Sequence, residues 1–230
     1  MKRRYALLVC LLTTLAIGCN KTKDTTPANA AHVMFVNGCT ATGNIYVADS
    51  LKTLSGPYPV GFDTTVGYQS LAAGTEAMLV YISSFGNSRP LQAATATFYA
   101  NDYYSVFVGG TITKPSFFVT SDDLSAPAQG MAKIRFVNLS SDTLSETVTV
   151  GSNLLAVHVG PASCTPFNSV IAGKYAITSN DPDKINSSDT LLARMYVADS
   201  IYTVVLTGSR GGDSIAYPLH LSFFLNDPNK

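Results

Sequence analysis

The sequence contains no tryptophan and few charged or histidine side chains. Only 13% of the 230 residues are charged and three are histidine. Tryptophan is a common flat ring of sugar-binding surfaces, so its absence disfavours a glycan platform without excluding one. The 15 basic and 15 acidic residues balance. Such a balance gives no basic patch or stripe, so nucleic acid is not an expected partner.

The sequence also lacks a recognisable catalytic or metal-binding motif. His32, His158 and His220 have no Ser, Cys or carboxylate beside them in a local motif, and no G-x-S-x-G turn occurs. The acidic turns at 122–123 and 181–183 are explained by turn chemistry, and the spaced Asp/Asn-Gly loop of calcium sites is missing. We therefore predict that the protein is not an enzyme and uses no metal or cofactor.

The first residues predict export. Residues 1–18 combine a basic start with an apolar run at 5–17, which is shorter than the roughly 20 residues of a membrane-spanning helix. This is the pattern of a secretory signal peptide. The segment that ends in Gly18-Cys19 resembles the lipobox of bacterial lipoproteins, although Leu15 lies one place early. We expect a lipid on Cys19, a polar tether over 19–30 and attachment to the outer membrane. A plain signal peptide with an incidental cysteine is the alternative.

Two of the four cysteines remain once the signal peptide is removed and Cys19 is lipidated. Cys39 and Cys164 occupy non-equivalent places in the chain. In an exported protein they could form a disulfide, or each could be a buried free cysteine that acts as a small apolar residue. Both interpretations stay open.

One strand pattern occurs twice. Residues 31–37 read Ala-His-Val-Met-Phe-Val-Asn, and residues 132–138 read Ala-Lys-Ile-Arg-Phe-Val-Asn. The matches that follow in the same order are 44–47 with 147–150, 68–74 with 167–173, and 100–108 with 198–206. About seven short strands per copy, with a turn signal about every 8–12 residues, are typical of an antiparallel sandwich. We predict an all-β fold of two tandem immunoglobulin-like antiparallel β-sandwich domains, 31–126 and 127–230, after the lipoprotein signal peptide.

Alternation along the repeated strand predicts its faces. Ile134 and Phe136 share one face, whereas Lys133 and Arg135 share the other. The two charges predict that the second face meets solvent. Val137 then also points outward, which the pattern does not explain. The short Pro/Gly segment at 125–130 predicts a hinge in a stubby two-domain rod.

Tyrosines provide two further expectations. Tyr104 and Tyr202 open equivalent strands, which resembles the corner tyrosine of immunoglobulin-like sandwiches, whose hydroxyl bonds nearby backbone. Tyr58, between prolines, and Tyr103, beside the inward Tyr104, are the aromatic residues that we expect to be exposed. Because exposed aromatic patches can mark partners, both are candidate ligand contacts.

A recurring tripeptide begins with Asp, continues with Ser or Thr, and ends with an apolar residue or Thr. It starts at Asp24, Asp49, Asp63, Asp142, Asp189, Asp199 and Asp213. The tripeptide resembles the O-glycosylation acceptor of some Gram-negative exported proteins. Turn chemistry on a β surface rich in Ser, Thr and Asp is the alternative explanation.

The repeats also resemble a known family. The first strand followed by Leu-Ser, the Ala-Gly turn, the Tyr-Thr-Val strand and the Asp-Asp-Leu-Ser-Ala-Pro link at 122–127 are similar to the exported bacterial family catalogued as domain of unknown function 4397. That resemblance implies lipoproteins with tandem β-sandwich units and supplies no functional residues. We therefore expect a non-catalytic envelope module that binds or scaffolds a protein or glycan. A structural or glycosylated spacer is the alternative, and a hydrolase is disfavoured.

Overall fold

The computed structural model describes residues 29–40, 44–48, 54–55, 59–84, 87–143, 145–182, 188–211 and 217–228. All the regular structure in this part of the chain is β, which confirms the predicted fold class. No helix there has the length and apolar character needed to cross a membrane. The predicted signal peptide, Cys19, most of the predicted tether and Tyr58 lie outside the described residues.

The described residues of the first copy form seven strands in two sheets. They are β1 Ala30–Asn37, β2 Asn44–Ala48, β3 Thr64–Ala72, β4 Gly74–Ser84, β5 Asn87–Phe98, β6 Tyr103–Gly110 and β7 Pro115–Ser121. One sheet has the order β3-β1-β6-β7 and the other β2-β4-β5. All pairings are antiparallel except β1 with β6, which run parallel.

The second copy repeats this plan with extra short strands. They are β8 Met131–Asn138, β9 Glu146–Val150, β10 Asn153–Val159, β11 Ser163–Cys164, β12 Asn168–Ile171, β13 Gly173–Asn180, β14 Ser188–Tyr196, β15 Ile201–Thr207 and β16 His220–Leu225. Its sheets have the orders β11-β8-β15-β16, with β12 also on β8, and β10-β9-β13-β14. β8 runs parallel to β15, as β1 does to β6. The segment between β7 and β8 contains the predicted boundary at 126/127.

The asparagine that ends each repeated strand holds the end of its sheet. The Asn37 side chain donates to the carbonyl of Val60 at 2.8 Å and accepts the N–H of Cys39 at 2.9 Å. Asn138 makes the same two bonds, to the carbonyl of Val159 and to the N–H two residues further on, both at 3.1 Å. A buried polar side chain is stable only when it is bonded in this way. The repeated Phe-Val-Asn pattern is therefore explained by inward packing followed by an end cap.

Both corner tyrosines are present. The Tyr104 hydroxyl accepts the N–H of Tyr99 at 3.0 Å, and the Tyr202 hydroxyl accepts the N–H of Val197 at 3.1 Å. Each hydroxyl therefore ties the start of its strand to the backbone a few residues upstream, as expected for this corner.

The inner face of the repeated strand lies where alternation places it. Val33 and Phe35 belong to the buried core of the first copy, and Ile134 and Phe136 to that of the second. Each core lies between the two sheets of its copy, because inward side chains of both sheets interdigitate there.

The prediction that the outer face meets solvent is wrong. Arg135 is 1% exposed and Lys133 is also buried. A third apolar cluster joins the outer faces of the two copies; its buried members are Met34, Val36, Phe107, Val137, Leu139 and Val205. The outer faces of the β1 and β8 sheets therefore pack against each other, which explains Val36 and Val137. This contact, which we call the junction, replaces the expected rod.

Candidate functional site

Arg135 is the centre of a buried polar group in the junction. Its guanidinium donates to Asp122 Oδ1 at 2.5 Å, to Ser105 Oγ at 2.6 Å and to Thr203 Oγ1 at 2.8 Å. It also lies over the rings of Phe107 and Phe167. Asp122 and Ser105 come from the first copy, so one side chain of the second copy has its charge neutralised mainly by the first.

A tyrosine links the two sides of this group through hydrogen bonds. The Tyr68 hydroxyl donates to Asp122 Oδ2 at 2.6 Å and accepts from Asn226 Nδ2 at 3.0 Å. Thr203 then donates to Asn226 Oδ1 at 2.6 Å. Burial raises the pKa of Tyr68, and the neighbouring Asp122 carboxylate raises it further. The phenol therefore stays protonated and keeps donating to Asp122 across physiological pH.

A second contact between the copies joins a histidine to a carboxylate. His220 Nε2 lies 3.0 Å from Asp63 Oδ2, and Ser222 donates to the same oxygen. His220 Nδ1 lies 2.9 Å from the carbonyl of Pro218. A Ser-His-Asp triad needs the hydroxyl on the imidazole, whereas here it bonds the carboxylate. This arrangement joins the copies: Ser222 bonds the carboxylate, and the hydroxyl of Thr207 lies 3.4 Å from His220 Nε2.

The other two histidines are in unrelated settings. His32 stacks on Tyr103 with ring centroids 4.8 Å apart, and Tyr103 also meets Tyr68 edge to face. Tyr103 is therefore half-buried at the edge of the junction, not exposed as predicted. His158 lies 3.2 Å from the hydroxyl of Ser145. Within the described ranges, no three His, Cys, Asp or Glu side chains form a group that could hold a metal.

Cys39 and Cys164 are free in the structure. Cys39 is fully buried in the first core, and burial raises the pKa of its thiol to about 12. Cys164 is half-buried against the junction, and burial again raises the pKa of its thiol. The structure therefore supports the free-cysteine interpretation over the disulfide.

The tripeptides that resemble glycosylation acceptors differ in exposure. Thr64 and Thr190, which follow Asp63 and Asp189, are exposed. Thr143 is 1% exposed and bonds the Asn138 side chain. A glycan on Thr143 would require local unfolding, so that tripeptide has a structural explanation.

The candidate binding site is a cleft at one edge of the second sandwich. It lies between β10 and β12, has a volume of about 300 Å³, and is lined by Met131, Val150, Asn153, Leu154, Leu155, Asn168, Ser169, Val170, Ile171 and Tyr175. Leu154 is 62% exposed and Ile171 is 67% exposed. Aliphatic side chains this exposed at the mouth of a concave site are typical of binding surfaces.

The equivalent edge of the first copy has buried leucines among its described residues. Leu71 lies opposite Ala31 on β1, just as Val170 lies opposite Ala132 on β8, but Leu71 is buried in the first core. Leu54, whose N–H bonds β2, is buried in that same core. Among the described residues, Leu71 and Leu54 therefore fill the place in the first copy that corresponds to the cleft of the second.

The sequence did not predict the burial of Arg135 or the cleft in the second copy. An arginine in an alternating strand is expected to be exposed to solvent unless a surface that packs against it is known. The outward-facing Val137 was the one signal that this face is buried. The cleft has a weaker signal: Ile171 stands where the first copy has Ala72. A large apolar residue that replaces a small one in the other copy can be either packed in a core or exposed at a binding surface.

The family follows from the sequence. Residues 31–145, half of the chain, match the model described as Domain of unknown function (DUF4397). The chain belongs to this DUF4397 family. The match confirms the resemblance inferred from the repeats and covers the first copy together with β8, whose outer face carries Arg135. No curated protein matches this DUF4397 chain.

Two solved structures were found to be similar over most of its length. One is the crystal structure of CBMbc (family CBM26) from Eubacterium rectale Amy13K in complex with maltoheptaose, with 10% identity, a TM-score of 0.28, and 86% of this chain and 98% of that chain covered. The other is a candidate cell adhesion protein from Bacteroides uniformis, with 11% identity, a TM-score of 0.28, and 86% and 99% covered. A likeness at this TM-score carries no argument about the function of the DUF4397 chain.

Proposed function

We propose that this DUF4397 protein is a non-catalytic lipoprotein of the bacterial envelope that acts as a binding or scaffolding module. A lipid on Cys19 and the tether over 19–30 attach it to the outer membrane, as the signal pattern at 1–18 supports. Residues 31–126 and 127–230 are its two immunoglobulin-like domains, and the junction holds them in one orientation.

The cleft of the second copy is the observation that carries this proposal. Its mouth is aliphatic through Leu154 and Ile171, and Asn153 and Asn168 also line it. Among the described residues, Tyr175 is the one aromatic residue that lines it. Aliphatic contact with a few amide hydrogen bonds suits a protein segment better than a sugar face, which stacks on rings. We therefore favour a protein partner, with a glycan as the alternative.

Site-specific crosslinking tests the proposal. A photo-activated residue replaces Leu154 in cells, and a matched control replaces Tyr99, which is 66% exposed in the first copy. The proposal predicts one crosslinked partner from position 154 and none from position 99. With that partner purified, Leu154→Ser with Ile171→Ser should weaken binding, whereas Tyr99→Ser should not. Equal crosslinking from both positions, or unchanged binding by the double variant, would refute the proposal that the cleft is the binding site.

Protease treatment of intact and lysed cells then separates the locations. Cleavage of intact cells means that the domains face outward, and the partner is sought among host or matrix proteins and glycans. Cleavage only after lysis means a periplasmic partner.

A spacer without a dedicated ligand is the second candidate. The exposed Thr64 and Thr190 in glycosylation tripeptides favour a glycosylated form of it. If the protein is a spacer, the cleft variants should have no effect in cells. An unrelated rigid domain of equal length should then be able to substitute for it without loss of function. The intact mass of protein purified from the native envelope reports any glycan directly.

A further inference from the structure

The junction brings together two equivalent faces that carry non-equivalent residues. On β1, Met34 lies opposite Ser105 of the neighbouring parallel strand, and on β8 Arg135 lies opposite Thr203 in the same way. Met34 and Arg135 therefore hold the same place in the two copies.

A second equivalent pair lies just after the last strand of each sheet. The N–H of Asp122 bonds the carbonyl of Tyr103, and the N–H of Asn226 bonds the carbonyl of Ile201. Since Tyr103 and Ile201 begin equivalent strands, Asp122 and Asn226 are also equivalent. At these two places the first copy has Met and Asp, whereas the second has Arg and Asn.

We propose that Arg135 and Asp122 form a pairing code, by which the junction face of a second copy accepts only the junction face of a first copy. The partner that fits the Arg135 face is a surface that presents a buried carboxylate beside a hydroxyl, as Asp122 and Ser105 do. In the intact chain that partner is its own first copy, and in a chain opened at the linker it is the first copy of any molecule.

Like faces would leave a charge without its partner. Two second-copy faces would place Arg135 against Asn226 and Thr203, which offer oxygens and no carboxylate. Two first-copy faces would place the Asp122 carboxylate against Met34, which cannot donate a hydrogen bond. A buried charge without its counter-charge is strongly unfavourable, so like pairs are rejected.

The neighbouring ion pair does not contribute to this code. Lys133 Nζ lies 2.8 Å from Asp123 Oδ2, but the Asp123 side chain is 64% exposed. Asp227 takes the equivalent place in the second copy, so Lys133 would meet a carboxylate in either pairing. Solvent at the exposed Asp123 end also weakens the attraction between the two charges. Lys133→Met is therefore the matched control for Arg135→Met.

The test uses the full chain with a protease site inserted between the exposed residues Gln129 and Gly130. Two batches carry different affinity tags on the first half. The batches are mixed and cleaved, and denaturant just below the unfolding midpoint lets the halves exchange partners. The mixture is then returned to buffer. One tag is then captured, and the halves that accompany it are quantified by mass spectrometry.

The code predicts that captured first halves bring second halves in equal amount and exclude first halves with the other tag by on the order of a hundredfold. Lys133→Met should leave this ratio unchanged. Arg135→Met combined with Asp122→Asn makes the two faces alike at both places, and should raise like pairs toward parity. If this double variant fails to fold, the ratio of like to unlike pairs in the unsubstituted chain alone tests the code.

Two outcomes would overturn the code. One is like pairs at parity in the unsubstituted chain. The other is halves that separate after cleavage and do not pair again.

Discussion

Arg135 and Asp122 form an ion pair across the junction, with Nη1 and Oδ1 2.5 Å apart and side chains that are 2% and 0% exposed. A pair this buried gains little net stability, because both charges lose their water. Its effect is on specificity: removing either partner leaves the other charged and buried. The pair therefore fixes which surfaces meet, and with them the orientation of the cleft relative to the first copy.

The closeness of the two copies can be tested at a glycine. A Cβ on Gly38 of the first copy would lie 2.7 Å from Thr207 Cγ2 and 2.9 Å from Leu139 Cβ, both in the second. Gly38→Ala should therefore lower the free energy of unfolding by about 1–3 kcal/mol, measured by urea denaturation. Gly61→Ala is the control, because its new Cβ meets nothing closer than 3.4 Å. Equal costs for the two variants would mean that the copies do not approach at Gly38.

Thiol labelling tests the placement of the cysteines. Cys39 is fully buried and its thiol has a pKa of about 12, so iodoacetamide at pH 8 should leave it unmodified until the chain unfolds. Cys164 is half-buried and should react slowly in the folded protein, since only the thiolate is nucleophilic. Peptide mass spectrometry measures both. If neither thiol reacts after unfolding without reductant, the two are joined in a disulfide and the free-cysteine description is wrong.

Glu146 predicts a pH dependence of stability. Its side chain is fully buried, accepts from Ser179 at 2.6 Å and from Arg210 at 3.1 Å, and burial raises its pKa above the ordinary 4.5. The folded state therefore holds the proton more tightly than the unfolded state. The stability that this provides is complete below pH 4.5 and is lost as pH rises through the higher folded pKa.

Glu146→Gln removes that titration. We expect the stability of the unsubstituted protein, relative to the variant, to decline as pH rises above 4.5, measured by urea denaturation at a series of pH values. A difference that stays constant, or that grows in the opposite direction, would contradict the burial of an ionisable Glu146.

Alternation and repetition predicted the parts of the fold that depend on one copy alone. Phe136 is inward because every second residue of a strand faces the same core, and Tyr202 could be placed at its corner because its offset repeats that of Tyr104. Arg135 could not be placed, since its burial depends on a surface contributed by another domain. Ile171 could not be recognised at a cleft, because no local pattern tells an unfilled edge from a filled one.

The central claim is that the two copies form one unit through Arg135 and Asp122. Its most direct test is a double-mutant cycle of Arg135→Met and Asp122→Asn, with unfolding in urea followed by circular dichroism. The account predicts that Arg135→Met costs about 3–5 kcal/mol, because Asp122 stays buried without its cation. It also predicts that the double variant costs less than the two single variants together, by more than about 1 kcal/mol. Small, additive costs would show that the two residues do not interact, and would contradict the account.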